Sequence, residues 1–322
     1  MRVTLQPSGA VLEMLPGERI LDAAQRLGYE CPNSCRNGNC HICSALLVEG
    51  SVTQDGVVHD HGEIYACLAV PVQDCVVMWD GVLAPGELPM RKLACQVIEC
   101  ADVGGDVFRV MLRAPAGKPP RYHAGQYLMI NRDDGEKSAF SMASAPEAGR
   151  DLEIHVLARE SSAQKLIAQL QRDGIAHIEL PFGDTHLAEL PEGPLVLIAA
   201  GTGMAQMHSL IEHCRAKGFP YPVHLYWGVR RPEDFYEISH WDEWKKLENL
   251  QLHKIVSDLC GWEGRWGMLH EAVREDIGDL KSIYVYGSGS PAMVYATLDA
   301  LVEAGMDAHQ MRADVFAYAP RN

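Results

Sequence analysis

The alternation of apolar and polar positions predicts a small α+β domain at the start of the chain. Residues 3–5 and 11–14 alternate like two strands on either side of a turn. Residues 20–27 have the spacing of an amphipathic helix. Strand-like patterns return at residues 44–49 and 75–79. A helix between strands of this length indicates a mixed fold.

Two further patterns follow along the chain. Residues 91–181 contain mostly short alternating strands separated by Gly, Pro and Asp, which favours an antiparallel barrel. From residue 193 the pattern changes to strands that alternate with helices. Residues 195–200 form a continuous apolar run, which is typical of a buried strand in a parallel sheet. An α/β domain with three more strands is therefore predicted, at residues 223–227, 250–256 and 282–286.

A Pro- and Gly-rich stretch separates the first part from the second, which is typical of a linker between domains. The resulting prediction has four segments: a first domain at residues 1–84, a linker at 85–90, a barrel at 91–190 and an α/β domain at 191–322. A chain of 322 residues is too long for one core, which agrees with this division.

Composition and charge narrow the range of partners. The chain is 47% hydrophobic and 22% charged, as in ordinary globular proteins. Its formal net charge of −15 argues against a chain-wide basic surface for nucleic acid or anionic lipid. No apolar run approaches the roughly 20 residues of a membrane-spanning helix, and the first residues lack the apolar stretch of a secretory signal. We expect a soluble cytoplasmic protein with no nucleic-acid partner and no membrane insertion.

Cysteine spacing gives the first indication of chemistry. Ten cysteines occur, eight of them in the first 100 residues. Disulfides are rare in the cytosol, so such a cluster indicates metal binding or redox chemistry. Cys35, Cys40 and Cys43 follow the order C-x4-C-x2-C, and Cys67 lies 24 positions after Cys43, which is the plant-type [2Fe-2S] spacing. Because a short loop can enclose only one side of two irons, a remote fourth thiolate must close the other side.

A structural zinc site is the alternative interpretation, since four thiolates also suit zinc. Zinc sites favour C-x2-C pairs on both sides, whereas here only Cys40 and Cys43 form one. If zinc were the metal, the chain would be a non-catalytic binding protein. Colour separates the two, because a zinc protein is colourless.

Two glycine-rich turns follow predicted strands in the α/β part. Gly201, Thr202 and Gly203 come directly after the apolar run, where glycine lets the backbone approach a dinucleotide and a helix N-terminus is available to its pyrophosphate. Residues 287–292 fit the pattern G-x-G-x-x-A. Only 30 residues follow this second turn, so it is not the first turn of a Rossmann fold.

These motifs resemble the ferredoxin–NAD(P)H reductase superfamily with an N-terminal plant-type ferredoxin domain, over essentially the whole chain. The reductase half is similar to bacterial NAD(P)H:flavin oxidoreductases through residues 140–144, 226–228 and 314–318. The resemblance implies a β-grasp ferredoxin domain, an antiparallel flavin barrel and a nicotinamide-binding α/β domain. It also implies a [2Fe-2S] cluster, FAD and NADH as cofactors, with NADH rather than NADPH suggested only by dioxygenase-type relatives.

The resemblance assigns flavin contacts to two strands of the barrel and to the end of the chain: Phe140, Ser141, Met142, His155, Val156, Phe316 and Tyr318. Ser138 stands where the family has an arginine that helps to hold the flavin phosphates, a task for which the geometry of arginine matters. Lys137 is adjacent and could supply a point charge instead.

On the nicotinamide side the resemblance implies contacts from the turns: Gly201, Gly203, Gly228 and Gly289, with Thr202 and Ser288 as the catalytic positions. Ser288 replaces the cysteine of the family's C-G-x-P loop. Arg230 lies where relatives hold the adenosine ribose, although a solvated surface arginine is an equal alternative. An arginine there could also meet a 2′-phosphate.

The sequence therefore supports two enzymatic hypotheses. In the first, an NADH-dependent reductase passes electrons through FAD and [2Fe-2S] to a separate protein, an oxygenase or a dehydrase. In the second, an NAD(P)H:flavin oxidoreductase releases free reduced flavin, which the missing arginine at Ser138 favours. Retention of flavin through gel filtration distinguishes them.

Overall fold

The computed structural model describes residues 1–117, 119–258 and 260–321. Internal contacts divide the chain into two compact units, Met1–Pro89 and a second unit from Met90 onward. Among the described residues, no helix combines the length and the apolar character needed to cross a bilayer.

The first unit is a mixed sheet packed on one helix. Its elements are β1 Arg2–Gln6, β2 Val11–Glu13, α1 Ile20–Arg26, β3 Ser44–Glu49, β4 Val52–Gln54, β5 Val57–His59, β6 Gly62–Tyr65, β7 Val70–Pro71 and β8 Cys75–Met78. The main sheet has the order β2-β1-β8-β3-β6, with β1 and β8 parallel, while β5, β4 and β7 form a small second sheet. Helix α1 buries Ile20, Leu21, Ala23 and Ala24 in the core of this unit.

The second unit begins with an antiparallel barrel. Its elements are β9 Arg91–Asp102, β10 Val107–Arg113, β11 Tyr127–Asn131, β12 Lys137–Ser141, β13 Asp151–Leu157, α2 Ser161–Asp173 and β14 Ile175–Phe182. The strand order is β12-β11-β14-β9-β10-β13, and a bridge between Met142 and Ile154 joins the two ends of this order. Helix α2 was not predicted from the sequence. It buries Leu166, Ile167 and Leu170 and ends at Gly174 in the left-handed conformation.

A parallel sheet with helices on both faces completes the second unit. Its elements are β15 Leu195–Ala200, α3 Met204–Ala216, β16 Val223–Val229, α4 Trp241–Trp244, β17 Leu250–Val256, β18 Arg265–Trp266, α5 Leu269–Asp276, β19 Tyr284–Ser288, α6 Pro291–Glu303, β20 Met311–Arg312 and α7 Val315–Tyr318. The order is β18-β17-β16-β15-β19-β20.

Strand β15 lies at the switch point of this sheet, where the order in which successive strands are added reverses. It pairs with β16 on one side and with β19 on the other, both parallel. Loops that leave the carboxyl ends of strands at such a switch point diverge and form a crevice for ligands. The crevice here is bounded by the turn after β15 and the turn after β19, which are the two glycine-rich turns. The α+β, barrel and α/β fold classes predicted from the sequence are confirmed.

Candidate cofactor sites

The four cysteines of the C-x4-C-x2-C motif and its distant partner come together in two pairs in the first unit. The sulfurs of Cys43 and Cys67 lie 3.2 Å apart and are buried. The backbone N–H of Cys40 donates to the sulfur of Cys35 at 3.3 Å. The loop closes tightly because Gly38 has a φ of 81° and a Cβ there would lie 2.8 Å from the Leu68 side chain. The loop therefore packs directly against the segment that carries the fourth cysteine.

One cysteine of each pair, Cys35 and Cys67, has a shifted pKa. Backbone hydrogen bonds from Asn37, with the Cys40 thiol, lower the pKa of Cys35 to about 7. Burial, with Cys43 next to it, raises the pKa of Cys67 to about 11. Since metals bind the thiolate, Cys35 is close to its ligating form at neutral pH, whereas Cys67 would lose its proton when a metal binds.

The positions of these four cysteines distinguish a [2Fe-2S] cluster site from a zinc site. Within the described part of the chain, no three Cys, His, Asp or Glu side chains are grouped so as to hold a single ion. A zinc site gathers four donors around one ion, whereas two bridged irons take their thiolates in pairs. The donors fit a [2Fe-2S] cluster, which Cys35, Cys40, Cys43 and Cys67 would hold.

A cavity of about 900 Å³ opens beside the barrel, and we call it the barrel cavity. Its volume lies within the range of cofactor sites. Its wall consists of Tyr127, Met129, residues 139–141, residues 183–185, residues 287–289 and residues 311–318. It therefore brings together six of the residues that the sequence singles out: Phe140, Ser141, Ser288, Gly289, Phe316 and Tyr318.

Three of the expected flavin contacts lie elsewhere. Met142 and Val156 are fully buried in the barrel core. His155 is 5% exposed, and its two ring nitrogens lie 2.9 Å from the Tyr236 hydroxyl and 2.9 Å from Glu153. Burial opposes ionisation of Glu153, but the hydrogen bond from His155, together with the nearby His208 and Arg109, lowers its pKa to about 2. His155 thus belongs to a buried polar contact between the barrel and the loop that contains Tyr236.

The charges around the barrel cavity differ from the sequence expectation. Lys137, the candidate substitute for the missing arginine, has its ammonium 2.8 Å from Glu179. Neither Lys137 nor Ser138 lies on the cavity wall, where Arg312 is the one cation among the described residues. Arg312 and the half-buried Asp314 were not identified as site residues, because nothing in the local pattern around them marks a cavity.

A second cavity of about 660 Å³ lies at the carboxyl ends of the parallel strands, and we call it the strand-end cavity. Gly201, Thr202, Gly228 and Arg230 line it, as the sequence analysis expects of a dinucleotide site. Residues of α5, of α6 and of the loop before α5 also line it, including Met268, His270 and Met293. Both arginines that line it are paired with carboxylates, since Arg230 pairs with Asp258 and Arg159 contacts both Asp106 and Asp234.

The two cavities meet at the glycine-rich turns. Residues 287–289 line the barrel cavity, whereas Ser290 and Ala292 of the same turn line the strand-end cavity. A Cβ at Gly203 would lie 2.3 Å from the carbonyl oxygen of Ser288, and one at Gly289 would lie 2.8 Å from the Ala200 Cβ. The absence of side chains therefore allows the two turns to touch.

Two family models match separate parts of the chain. Residues 3–72 match the 2Fe-2S iron-sulfur cluster binding domain, and residues 197–299 match the oxidoreductase NAD-binding domain. Reductase component 2 of terephthalate 1,2-dioxygenase from Comamonas sp is 30% identical, and the match covers 99% of this chain and 98% of the relative. The chain belongs to the ferredoxin–NAD(P)H reductase superfamily. The resemblance inferred from the sequence motifs is thereby confirmed.

Other members extend this picture of the superfamily. The CDP-6-deoxy-L-threo-D-glycero-4-hexulose-3-dehydrase reductase of Yersinia pseudotuberculosis is 30% identical over 98% of both chains. The NAD(P)H-flavin reductase of Vibrio harveyi is 30% identical over 70% of this chain and 99% of its own. The Amycolatopsis cytochrome P450 reductase GcoB superposes with a TM-score of 0.67 at 27% identity, over 97% of this chain and 98% of that one. This reductase is therefore an NAD(P)H-dependent oxidoreductase with [2Fe-2S] and FAD as cofactors.

Trp227 is a positioning residue of the reductase that the sequence analysis placed only within a motif. Its side chain is fully buried, and its indole N–H donates to the carbonyl oxygen of Gly201 at 3.0 Å. Lys254 lies over the same ring at 5.2 Å from its centre. The buried indole therefore holds the first glycine-rich turn in place through its hydrogen bond to Gly201.

We expect Trp227→Phe to raise the KM for NADH by about fivefold to tenfold, because the lost hydrogen bond is worth about 1 kcal/mol. Flavin content should not change, since Trp227 does not line the barrel cavity. Steady-state kinetics with ferricyanide provide the measurement. Trp244→Phe is the control, because this indole is equally buried but donates to Glu212, away from the turn. An unchanged KM in Trp227→Phe would contradict the positioning role.

Proposed function

We propose that the reductase takes electrons from NADH through FAD and its [2Fe-2S] cluster and delivers them to a separate oxygenase or dehydrase. The observation that carries this proposal is the shared turn 287–292, which places the strand-end cavity directly beside the barrel cavity. NADH in the first and flavin in the second would meet there, as hydride transfer requires. The Comamonas and Yersinia relatives are reductases of a dioxygenase and of a dehydrase, which supports these acceptor classes.

The residues of the chain position and shield the reactants. Contact between Gly203 and Ser288 aligns the two turns, while the indole of Trp227 holds the first. Phe140 and Phe316 supply apolar walls to the barrel cavity, which exclude water from the hydride path. Bound FAD supplies the conversion from a two-electron donor to the one-electron cluster. Thr202 and Ser288, on opposite sides of the meeting point, are the proposed contacts to the nicotinamide.

The cytoplasm is the proposed location, because a cluster held by four thiolates needs a compartment in which cysteines stay reduced. All ten cysteines, each within the described residues, carry free thiols.

Release of free reduced flavin is the second candidate function. It is supported by the pairing of Lys137 with Glu179, which leaves the flavin phosphates without that cation, and by the flavin reductase of Vibrio harveyi. Gel filtration of the purified reductase tests the choice. Delivery to a protein predicts about one flavin per chain after the column, and loss of nearly all flavin would favour release.

Charge at the strand-end cavity supports NADH over NADPH. Arg230 donates to Asp258 at 2.9 Å, and Ser257 and Arg230 together lower the pKa of this carboxyl. Arg159 is shared between Asp106 and Asp234. A 2′-phosphate arriving at this rim would meet carboxylates already paired with the arginines, which is unfavourable for a dianion.

We expect Asp258→Ser to raise kcat/KM for NADPH by about tenfold, because it removes a negative charge and frees Arg230 for a phosphate. The value for NADH should change by less than about twofold. Asp299→Ser is the matched control, since Asp299 is also an exposed partner of an arginine, but that arginine, Arg321, does not line the cavity as Arg230 does. If both variants left the NADPH value unchanged, Asp258 would have no part in coenzyme choice.

A further inference from the structure

A buried glutamine connects helix α3 to the wall of the barrel cavity. Gln206 lies in the first turn of α3 and is 1% exposed. Its side-chain nitrogen is 2.8 Å from the carbonyl oxygen of Gly125, 3.2 Å from that of Thr185 and 3.1 Å from the carboxylate of Asp314. An amide nitrogen has two hydrogens, so three acceptors from three separate segments share them.

Two of these acceptors anchor the glutamine to the barrel side. Gly125 and Thr185 lie in loops that already touch, because a Cβ at Gly125 would be 2.8 Å from the Thr185 carbonyl oxygen. Both acceptors are backbone carbonyl oxygens, one in each of these two touching loops. The third acceptor is the side-chain carboxylate of Asp314, near the end of the chain. Because it belongs to a side chain, its position depends on the hydrogen bonds that it accepts.

Asp314 is a charged residue on the wall of the barrel cavity and starts the segment that completes it. Its carbonyl oxygen accepts from the N–H of Ala317 at 3.0 Å and of Tyr318 at 3.3 Å. Burial raises the pKa of the Asp314 carboxyl, while hydrogen bonds from Thr185 and Gln206 oppose that rise. The carboxylate is therefore held by its hydrogen bonds, and the turn of α7 with Phe316 and Tyr318 is built on the same residue.

We propose that Gln206 is a positioning residue for FAD: by holding Asp314, it fixes the end segment of the chain against the barrel cavity. Gln206 does not line that cavity, so it acts through Asp314 rather than by touching the cofactor. The inference rests on the proposed function, because it requires that FAD occupy the barrel cavity.

The experiment measures the dissociation constant of FAD by fluorescence titration of the full chain after FAD has been removed. Gln206→Leu preserves the shape of the side chain but removes its donors, and we expect FAD to bind about tenfold more weakly. Asp314→Ala should have a similar effect. Because both changes interrupt one contact, the double variant should bind about as well as the weaker single variant.

Two further variants separate this role from a general loss of stability. Ser209→Ala removes another buried hydrogen bond between α3 and the barrel, from the hydroxyl to the Ser144 carbonyl at 2.8 Å. It should lower the thermal midpoint as much as Gln206→Leu but leave FAD binding within about twofold. Asp314→Asn retains an oxygen that accepts from Gln206, so it should bind FAD more tightly than Asp314→Ala, and this comparison can be made even if Gln206→Leu does not fold.

The outcomes distinguish the inference from the proposed function. Additive losses in the double variant, equal weakening by Ser209→Ala, or an Asp314→Asn variant as weak as Asp314→Ala would each overturn the role of Gln206. A wild-type chain that does not bind FAD would instead contradict the proposed function.

Discussion

Cys40→Ser should reduce cytochrome c reduction by at least about 100-fold while NADH-driven ferricyanide reduction stays near its normal rate. The reason is that Cys40 lies with Cys35 at one end of the loop, opposite the buried pair of Cys43 and Cys67. Without Cys40 one iron loses a ligand, and cluster assembly depends on the full set. The reductase half has its own cavities and does not use this thiol.

Cys31→Ser is the matched control. Cys31 lies four positions before Cys35, is half-buried, and its sulfur contacts only the Tyr29 carbonyl oxygen at 3.9 Å among the hydrogen-bond partners of the described residues. Burial raises its pKa to about 11, so it remains a thiol. We expect this variant to keep its iron, sulfide and cytochrome c activity. If Cys31→Ser lost the cluster and Cys40→Ser kept it, the ligand assignment would be wrong.

Gly203→Ala should lower the rate of flavin reduction by NADH by about 100-fold. Gly203 has a φ of −56°, which alanine adopts readily, so backbone strain is not the cause. The new Cβ would lie 2.3 Å from the Ser288 carbonyl oxygen and 2.7 Å from its carbonyl carbon, and the turns must separate. A shift of about 1 Å between reactants can cost about 100-fold in rate. Rapid-mixing absorbance of the bound flavin measures the step.

Gly201→Ala provides the comparison for this effect. Gly201 has a φ of 54°, but a Cβ there meets nothing within 4 Å. The cost is then a left-handed backbone alone, about 1 kcal/mol in stability, with a small effect on the rate. Equal slowing in the two variants would show that contact between the turns is not what aligns the reactants.

The elements with strong local signals are the ones that sequence analysis located. Residues 195–200 are apolar throughout because β15 is covered on both faces, and the structure has β15 at Leu195–Ala200. Ser290 caps α6 and Pro291 is its first residue, an arrangement that the local Ser-Pro sequence favours. Helix α2 also has a helical pattern, with Leu166, Ile167 and Leu170 on its buried face and Gly174 at its end. This pattern was missed because it lies in a region where alternating strand patterns predominate.

The faces of strands were harder to predict than the strands themselves. Residues 139–141 line the barrel cavity, but the next residue, Met142, bridges to Ile154 and joins the core. His155, on the same strand as Ile154, is also directed inward, where it contacts Glu153 and Tyr236. Gln206 and Asp314 meet across 108 positions, a separation at which local periodicity carries no information.

An anaerobic reductive titration of the purified reductase tests the central claim most directly. One FAD that accepts two electrons and one [2Fe-2S] cluster that accepts one predict uptake of about three electrons per chain from dithionite, with about two irons and two acid-labile sulfides. NADH should bleach the flavin and then the cluster in the same sample. Uptake of only two electrons with no sulfide, or a cluster that dithionite reduces but NADH does not, would contradict the account.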